Sequence, residues 1–246
     1  MGSGFNMATL VYGDAGGGLG DVALRLVRFG LETSYANDLD ELILLALERE
    51  RESGVGSVLV GSDRDAAEIR ELVDQLERRV ALPAACVVVV GSELPDAERE
   101  SLRSRGLRWH LPGGFSDRAL RFVASAATWE RDAMNLRKEL RIPVDLPVMM
   151  SARGESRVAR VLDLSEHGAF VSTEPDLEVG SRISLELGTD AGSIDIVGCV
   201  RRARRAEQAP PEEPAAGVGV EFDPLADPAQ AALSELLAAA LSEFRL

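Results

Sequence analysis

The chain has 246 residues, of which 46% are hydrophobic but only 4% aromatic, and it carries a formal net charge of -14. This length predicts two domains of ordinary size, and no apolar run approaches the roughly 20 residues that a membrane-spanning helix needs. Residues 1–130 carry 14 basic and 21 acidic side chains, and residues 131–246 carry 13 and 20. Such an evenly acidic surface repels polyanions and argues against nucleic-acid binding, although a few focused arginines can still hold a small anion.

Cysteine and histidine are too few to suggest a metal site. Cys86 in "ACVVVV" and Cys199 in "IVGCVRR" lie in strand-like apolar runs, which is typical of small buried thiols in a reducing compartment. His110 and His167 are the only histidines, so the sequence predicts no metal cluster. The start of the chain also lacks the basic and apolar segments of a secretion signal. We therefore expect a cytoplasmic protein without a metal.

In the first half, five short apolar stretches alternate with amphipathic ones. The strand candidates are "TLVYGD" (9–14), "LETSYA" (31–36), "GSVLVGS" (56–62), "ACVVVVGS" (85–92) and "LRWHL" (107–111). Helix N-caps are expected at Asp38, Ser92 and Ser116. Five strands, each followed by a helix, predict an open parallel sheet covered on both faces. We place this α/β flavodoxin-like domain at residues 7–130.

The order of these elements resembles the receiver domain of response regulators. That family holds Mg²⁺ on acidic residues after the first strand, phosphorylates an aspartate at the end of the third strand and contacts the phosphoryl group through a lysine after the fifth. Here Asp14 leaves one acid of the pair, Ser62 stands at the acceptor position with Asp63 one place late, and Leu111 stands at the lysine position. The resemblance therefore implies a degenerate receiver that keeps the shape without the reaction, since the phosphoryl charge lacks its stabilising partners. Whether Asp63 or Asp14 retains a phosphorylation role stays open.

Beyond Asp132 the pattern changes to short alternating stretches without helices between them. They are "IPVDLPVMMSA", "ESRVARVLDLSE", "GAFVSTE", "RISLELG", "SIDIVGCVRRARR" and "AAGVGVEFD", and "PAQAALSELLAAALSEF" follows as one amphipathic helix. This pattern predicts a small antiparallel β-barrel closed by a C-terminal helix, in a second domain at residues 131–246. No proline or glycine interrupts the stretch before Pro143, so a linker helix is expected over residues 116–140.

Two arginines and a short acidic turn form an ordered set in this second domain. The set consists of R-x-x-x-R at Arg137 and Arg141, D-x-S-x-x-G at Asp163, Ser165 and Gly168, and the glycine-spaced "GVGVEF" at 217–222. Each motif recurs by chance, but their order and separation together resemble a PilZ domain over residues 135–246. PilZ domains are bacterial receptors for cyclic di-GMP. The resemblance therefore implies that ligand and assigns the five motif residues to its binding.

The chemistry of cyclic di-GMP agrees with this set. An arginine fork matches O6 and N7 on one edge of guanine, and the carboxylate of Asp163 can accept from N1–H and N2–H₂ on the other. Guanidinium planes also stack on purines, and the two phosphates take further N–H donors. One alternative is that Arg137 and Arg141 form an ordinary solvated helix face, while Asp163 merely stabilises a turn. "RRARR" at 201–205 is interpreted as local charge balance.

The two halves together predict a non-enzymatic effector or adaptor. Cyclic di-GMP binding would rotate one domain against the other, and the degenerate receiver would dock a protein partner or a second copy of the chain. One alternative is a phosphorelay output protein phosphorylated at Asp63 or Asp14. Another is an interaction adaptor whose barrel binds no ligand. No constellation for hydrolysis or group transfer is present, so an enzyme is not expected.

Overall fold

The computed structural model describes residues 7–13, 18–131, 140–174, 177–189, 192–205 and 216–246. The chain divides into two compact units, which we call the receiver-like unit (Met1–Leu136 with Phe244–Leu246) and the barrel unit (Arg137–Glu243). Within the described ranges, no helix is both long and apolar enough to cross a lipid bilayer.

The receiver-like unit is built on a five-stranded parallel sheet whose strands alternate with helices along the chain. Its elements are β1 (Ala8–Tyr12), α1 (Leu19–Arg28), β2 (Thr33–Ala36), α2 (Leu39–Glu52), β3 (Val55–Gly61), α3 (Ala66–Val80), β4 (Val87–Gly91), α4 (Asp96–Ser104), β5 (Trp109–Pro112) and α5 (Asp117–Trp129). The strand order is β2-β1-β3-β4-β5. This is the flavodoxin-like order, so the predicted fold of the first half is confirmed.

Local sequence explains where several of these helices begin. Asp38 and Ser116 each accept a hydrogen bond from a backbone N–H of the following helix, at 2.8 and 3.2 Å, as expected of N-caps. The N-cap predicted at Ser92 is wrong, because helix α4 begins only at Asp96 and has no side-chain cap. Ser92 instead turns its carbonyl oxygen to Nε2 of the buried His110, at 3.2 Å.

Helix α5 ends at Trp129, and the chain turns at the next two residues. Arg131 in this turn donates from Nη2 to the Glu50 carboxylate at 2.7 Å and from Nη1 to a backbone carbonyl of β3 at 2.6 Å. These contacts fasten the end of α5 to the sheet. Of the helix predicted over residues 116–140, the structure describes α5 to Trp129 and a turn at 130–131, and residues 132–139 lie outside the described part of the chain.

The last three residues, Phe244–Leu246, belong to the receiver-like unit rather than to the barrel with which the sequence grouped them. They run antiparallel to β5, with a bridge between Trp109 and Arg245 and two backbone hydrogen bonds of 3.0 and 3.1 Å. The phenylalanine and the leucine are buried, and the ring of Phe244 packs on Phe122 at 5.1 Å between centroids. The C-terminal segment thus extends the edge of the parallel sheet.

The barrel unit closes six antiparallel strands on themselves. Its elements are β6 (Ile142–Ala152), β7 (Glu155–Ser165), β8 (Gly168–Ser172), β9 (Arg182–Thr189), β10 (Gly192–Arg204), β11 (Gly217–Phe222) and helix α6 (Asp227–Ser242). Around the barrel the order is β10-β11-β8-β7-β6-β9, with β9 and β10 paired to complete the ring. Helix α6 packs on β6 and β10 and buries Leu233 and Leu237. The predicted barrel with its C-terminal helix is confirmed.

Candidate functional site

The D-x-S-x-x-G residues lie at the hairpin between β7 and β8. Ser165, at the end of β7, pairs directly with Gly168, at the start of β8, across a two-residue turn. The hydroxyl of Ser165 donates to the carbonyl oxygen of Gly168 at 3.2 Å, and only 4% of the serine is exposed. The serine therefore helps to close the hairpin that carries the motif.

Gly168 is required by a close backbone approach. A Cβ placed on it would lie 2.5 Å from the carbonyl oxygen of Val220 on β11, a separation that real Cβ atoms do not show. Any side chain at Gly168 would therefore push β8 away from β11. The glycine lets the hairpin pack tightly against the neighbouring strand.

The strand register brings Arg141 beside this hairpin. Ile142 pairs with Leu164, so the preceding residue, Arg141, continues the register opposite Ser165. Asp163, on the same hairpin, is half-buried and lies two positions from that point. Since neighbouring strands are about 4.8 Å apart, a guanidinium carried at this end of β6 can reach the space over the Asp163 carboxylate.

Of the two motif arginines, Arg141 lies in the described part of the chain. Arg141 is exposed, and it makes no ion pair or hydrogen bond with any residue that the structure describes. By contrast, Arg160, Arg182 and Arg201 on the same barrel are each paired with a carboxylate. Arg141 thus lies beside the hairpin without a described anionic partner. Arg137 falls within residues 132–139, outside the described part of the chain.

A row of side chains on the outer face of the barrel extends from Asp163. One register row crosses four neighbouring strands and contains Asp163, Phe170, Gly219 and Arg202. Residues directly opposite each other on paired strands project from the same face of a sheet. The guanidinium carbon of Arg202 lies 5.9 Å from the centroid of the Phe170 ring, and that of Arg204 lies 4.7 Å from it.

One arginine of "RRARR", Arg201, pairs with a described carboxylate, as the interpretation of local charge balance predicts. Arg201 donates from Nε to the Glu221 carboxylate at 2.5 Å. Arg202 makes no ion pair with a described residue and turns instead toward Phe170. The placement of these arginines could have been inferred from Gly217 and Gly219. The two glycines leave one face of β11 without side chains, so arginines of β10 can extend over that strand toward Phe170.

The receiver-like unit has its own cavity at the carboxyl ends of its strands. This cavity of about 330 Å³ is lined by residues that follow β1, β3 and β4, among them Gly13, Ser62, Asp63 and Ser92. Asp63 is exposed, and its carboxylate folds back over the end of β3. Leu111, at the lysine position of receivers, is fully buried. Asp14 lies outside the described residues.

Two buried titratable groups of the receiver-like unit, His110 and Cys86, have shifted pKa values. Burial lowers the pKa of His110, although its hydrogen bond to the Ser92 carbonyl opposes the shift. Burial also raises the pKa of the Cys86 thiol to about 12, which leaves it protonated and unreactive near neutral pH. Among the described residues, no group of three or more His, Cys, Asp or Glu side chains could hold a metal ion.

Comparison with protein-family models matches residues 135–239 to the PilZ domain. A search of the curated proteins found no match. Among solved structures, the inhibitor of motility (MotI/DgrA) of Bacillus subtilis is 18% identical with a TM-score of 0.37, and the match covers 45% of this chain and 53% of that one. This chain thus spans about half the length of that protein.

Two further solved structures each match less than half of this chain. The PilZ domain of YcgR from Escherichia coli, in a structure with c-di-GMP, is 18% identical with a TM-score of 0.36, covering 44% of this chain and 94% of that one. The chemotaxis protein CheY4 of Vibrio cholerae is 12% identical with a TM-score of 0.36, covering 47% and 93%.

Proposed function

We propose, on the premise that residues 135–239 are a PilZ domain, that this chain is a receptor for cyclic di-GMP. It would act as a cytoplasmic effector or adaptor rather than as an enzyme, and it would convert nucleotide binding into a domain rearrangement or a contact with a partner. Two similar solved structures contain this ligand, namely the PilZ domain of YcgR from Escherichia coli and the c-di-GMP complex of MrkH from K. pneumonia.

The observation that carries the proposal is the placement of Arg141 opposite the hairpin of Asp163, Ser165 and Gly168. The carboxylate of Asp163 would accept from N1–H and N2–H₂ of a guanine. Arg141 and Arg137 would together supply a fork for the O6–N7 edge, a plane for stacking and donors for a phosphate. Among the described residues, no carboxylate pairs with the Arg141 guanidinium that a ligand would contact.

Recognition of an anion by so acidic a chain is a local effect. The net charge of -14 is spread over the whole surface, and interactions between exposed charges are screened beyond about 8–10 Å at physiological salt. A direct guanidinium–phosphate or guanidinium–guanine contact is far shorter than that. The arginines at the hairpin therefore decide affinity, while the overall charge discourages longer nucleic acids.

The receiver-like unit is proposed as a docking surface without phosphoryl chemistry. Its Leu111 is buried where a receiver needs a cation, and Asp63 lies on the turn beyond the acceptor position. A protein partner or a second copy of the chain would then bind to this unit when cyclic di-GMP is bound. Light scattering across a concentration series tests self-association, and small-angle scattering with and without nucleotide tests rearrangement. A lone monomer with an unchanged scattering profile at saturating ligand would contradict this output.

Titration calorimetry with cyclic di-GMP tests the proposed receptor function. Wild type should bind, and Arg141→Ala or Asp163→Asn should weaken binding about tenfold or more, because one bidentate contact is worth about 1–3 kcal/mol. Arg153→Ala is the matched control, since this exposed arginine follows β6 at the end farthest from the hairpin. A wild-type protein without measurable affinity would reject the proposal and favour the ligand-independent adaptor.

A further inference from the structure

The outer face of β8, β11 and β10 carries a stacked cluster that the PilZ motifs do not include. The ring of Phe170 points outward with Asp163 and Arg202, yet only 5% of the residue is exposed. The guanidinium groups of Arg202 and Arg204 lie over this ring. We call Phe170, Arg202 and Arg204 the arginine platform.

The glycines of β11 make this platform sterically feasible. Gly219 lies between Phe170 and Arg202 in the register, and Gly217 lies opposite Arg204. A Cβ on Gly217 would lie 2.6 Å from Cζ of Phe170, so the ring occupies the space of the missing side chain. Two bare positions on one strand thus let side chains from the strands on either side meet above it.

The platform lies within reach of a ligand held at the hairpin. Asp163 and Arg202 are three strand-to-strand steps apart in one register row. At about 4.8 Å a step, this is roughly 14 Å along the barrel surface, and Phe170 is only one step from Asp163. A molecule that carries two purines and two phosphates is large enough to bridge that interval.

We infer that the arginine platform is a second recognition subsite for one guanine–phosphate half of cyclic di-GMP, and this inference rests on the proposed receptor function. The aromatic ring fixes the guanidinium planes, so that little side-chain entropy is lost when a ligand arrives. A purine would stack on the outer guanidinium face, and the N–H edges would donate to a phosphate. The hairpin would hold the other half of the ligand.

A purely structural role would have the same geometry, since an arginine over a buried ring also stabilises a barrel. Two features favour the ligand. Charge balance on this strand is already provided by Arg201 and Glu221, whereas Arg202 has no described anionic partner. The platform also shares its register row with Asp163, the carboxylate assigned to guanine.

Calorimetry on three variants tests the inference. Arg202→Gln and Arg204→Gln should each weaken cyclic di-GMP binding about tenfold, as expected for a lost charge-assisted contact. Arg201→Gln is the matched control, because it removes the same charge from the same strand but from a residue paired with Glu221. It should weaken binding less than about threefold, a residual effect of long-range charge.

A fourth variant, Phe170→Leu, separates positioning from charge. It keeps every arginine but removes the ring, so affinity should fall severalfold while the salt dependence of binding stays as in wild type. Losing a phosphate contact would instead reduce the slope of log affinity against log salt concentration by about one. Circular dichroism would verify that each variant is folded. If Phe170→Leu does not fold, the binding affinity of the exposed variant Arg202→Gln tests the subsite. If wild type binds and Arg202→Gln and Arg204→Gln bind equally well, the platform is structural only. If wild type itself does not bind, the receptor function falls with it.

Discussion

Ser165 on β7 lies directly opposite Gly168 on β8, and its hydroxyl donates to the glycine carbonyl at 3.2 Å. These two of the three motif residues thus stabilise the backbone of the hairpin itself. Substituting either one changes the scaffold as well as any ligand contact. Asp163 and Arg141, which project from the scaffold, report on binding more directly.

Gly168→Ala should destabilise the barrel unit by about 2 kcal/mol, because the added methyl group overlaps the carbonyl oxygen of Val220 on β11. Urea unfolding followed by far-ultraviolet circular dichroism measures this loss. Gly188→Ala is the control, since a Cβ at that position of β9 meets nothing within 4 Å. It should leave stability unchanged or slightly raised. Equal midpoints for the two variants would contradict the close approach.

The receiver-like unit should lose stability as the pH falls below about 6.5, where histidine in an unfolded chain gains its proton. Burial lowers the pKa of His110 in the fold, so in that range the unfolded state binds more protons and the free energy of unfolding decreases. Glu93 and Arg99 are the charged groups that influence this imidazole.

Chemical denaturation between pH 5.5 and 7.5 measures the effect of His110. His110→Gln should flatten the pH dependence in this window, because glutamine can still donate to the Ser92 carbonyl but does not titrate. Identical slopes for wild type and His110→Gln would show that other groups account for it.

Phe244→Ala should destabilise the receiver-like unit by about 3 kcal/mol, although the residue follows the helix of the barrel unit. Its ring is buried on Phe122, and its carbonyl accepts a hydrogen bond from β5. Both tryptophans, Trp109 and Trp129, lie in the receiver-like unit, so their fluorescence reports its unfolding specifically. Leu24→Ala, at a side chain that is 62% exposed, serves as the control. A tryptophan transition that does not move in Phe244→Ala would refute the docking of this segment.

Incubation with acetyl phosphate and Mg²⁺ should leave the chain unmodified. The receiver lysine is replaced by the buried Leu111, and Asp63 lies one residue beyond the acceptor position. Intact-mass spectrometry detects a phosphoryl adduct directly. An adduct that disappears in Asp63→Asn would restore the phosphorelay alternative.

Hydrophobic periodicity was sufficient for the architecture of both units. Strand β9 alternates along its length, and β4 is apolar at every position from Val87 to Val90. Both patterns depend only on local burial and can be recognised in the sequence. The segment Phe244–Leu246 has no such signal. Three residues are too few to show a period, and their pairing with β5 depends on a contact far away in the sequence.

Strand register limited the prediction of the site. The motif residues could be read as a set, but the row that joins Asp163 to Phe170 and Arg202 could not. Irregularities lie between Val161 and Asp163 and between Val200 and Arg202, and each shifts which residues face each other. Only the folded barrel shows that the cations of β10 share a face with the acidic hairpin.

The sheet edge that is completed by Phe244–Leu246 makes the receiver-like unit discontinuous in the gene. A single recombination event that replaced everything after residue 131 with another output domain would also remove the segment covering Phe122 and pairing with β5. The two halves of this protein therefore cannot be exchanged independently, unless the replacement domain also ends in a segment that pairs with β5 at the edge of the parallel sheet.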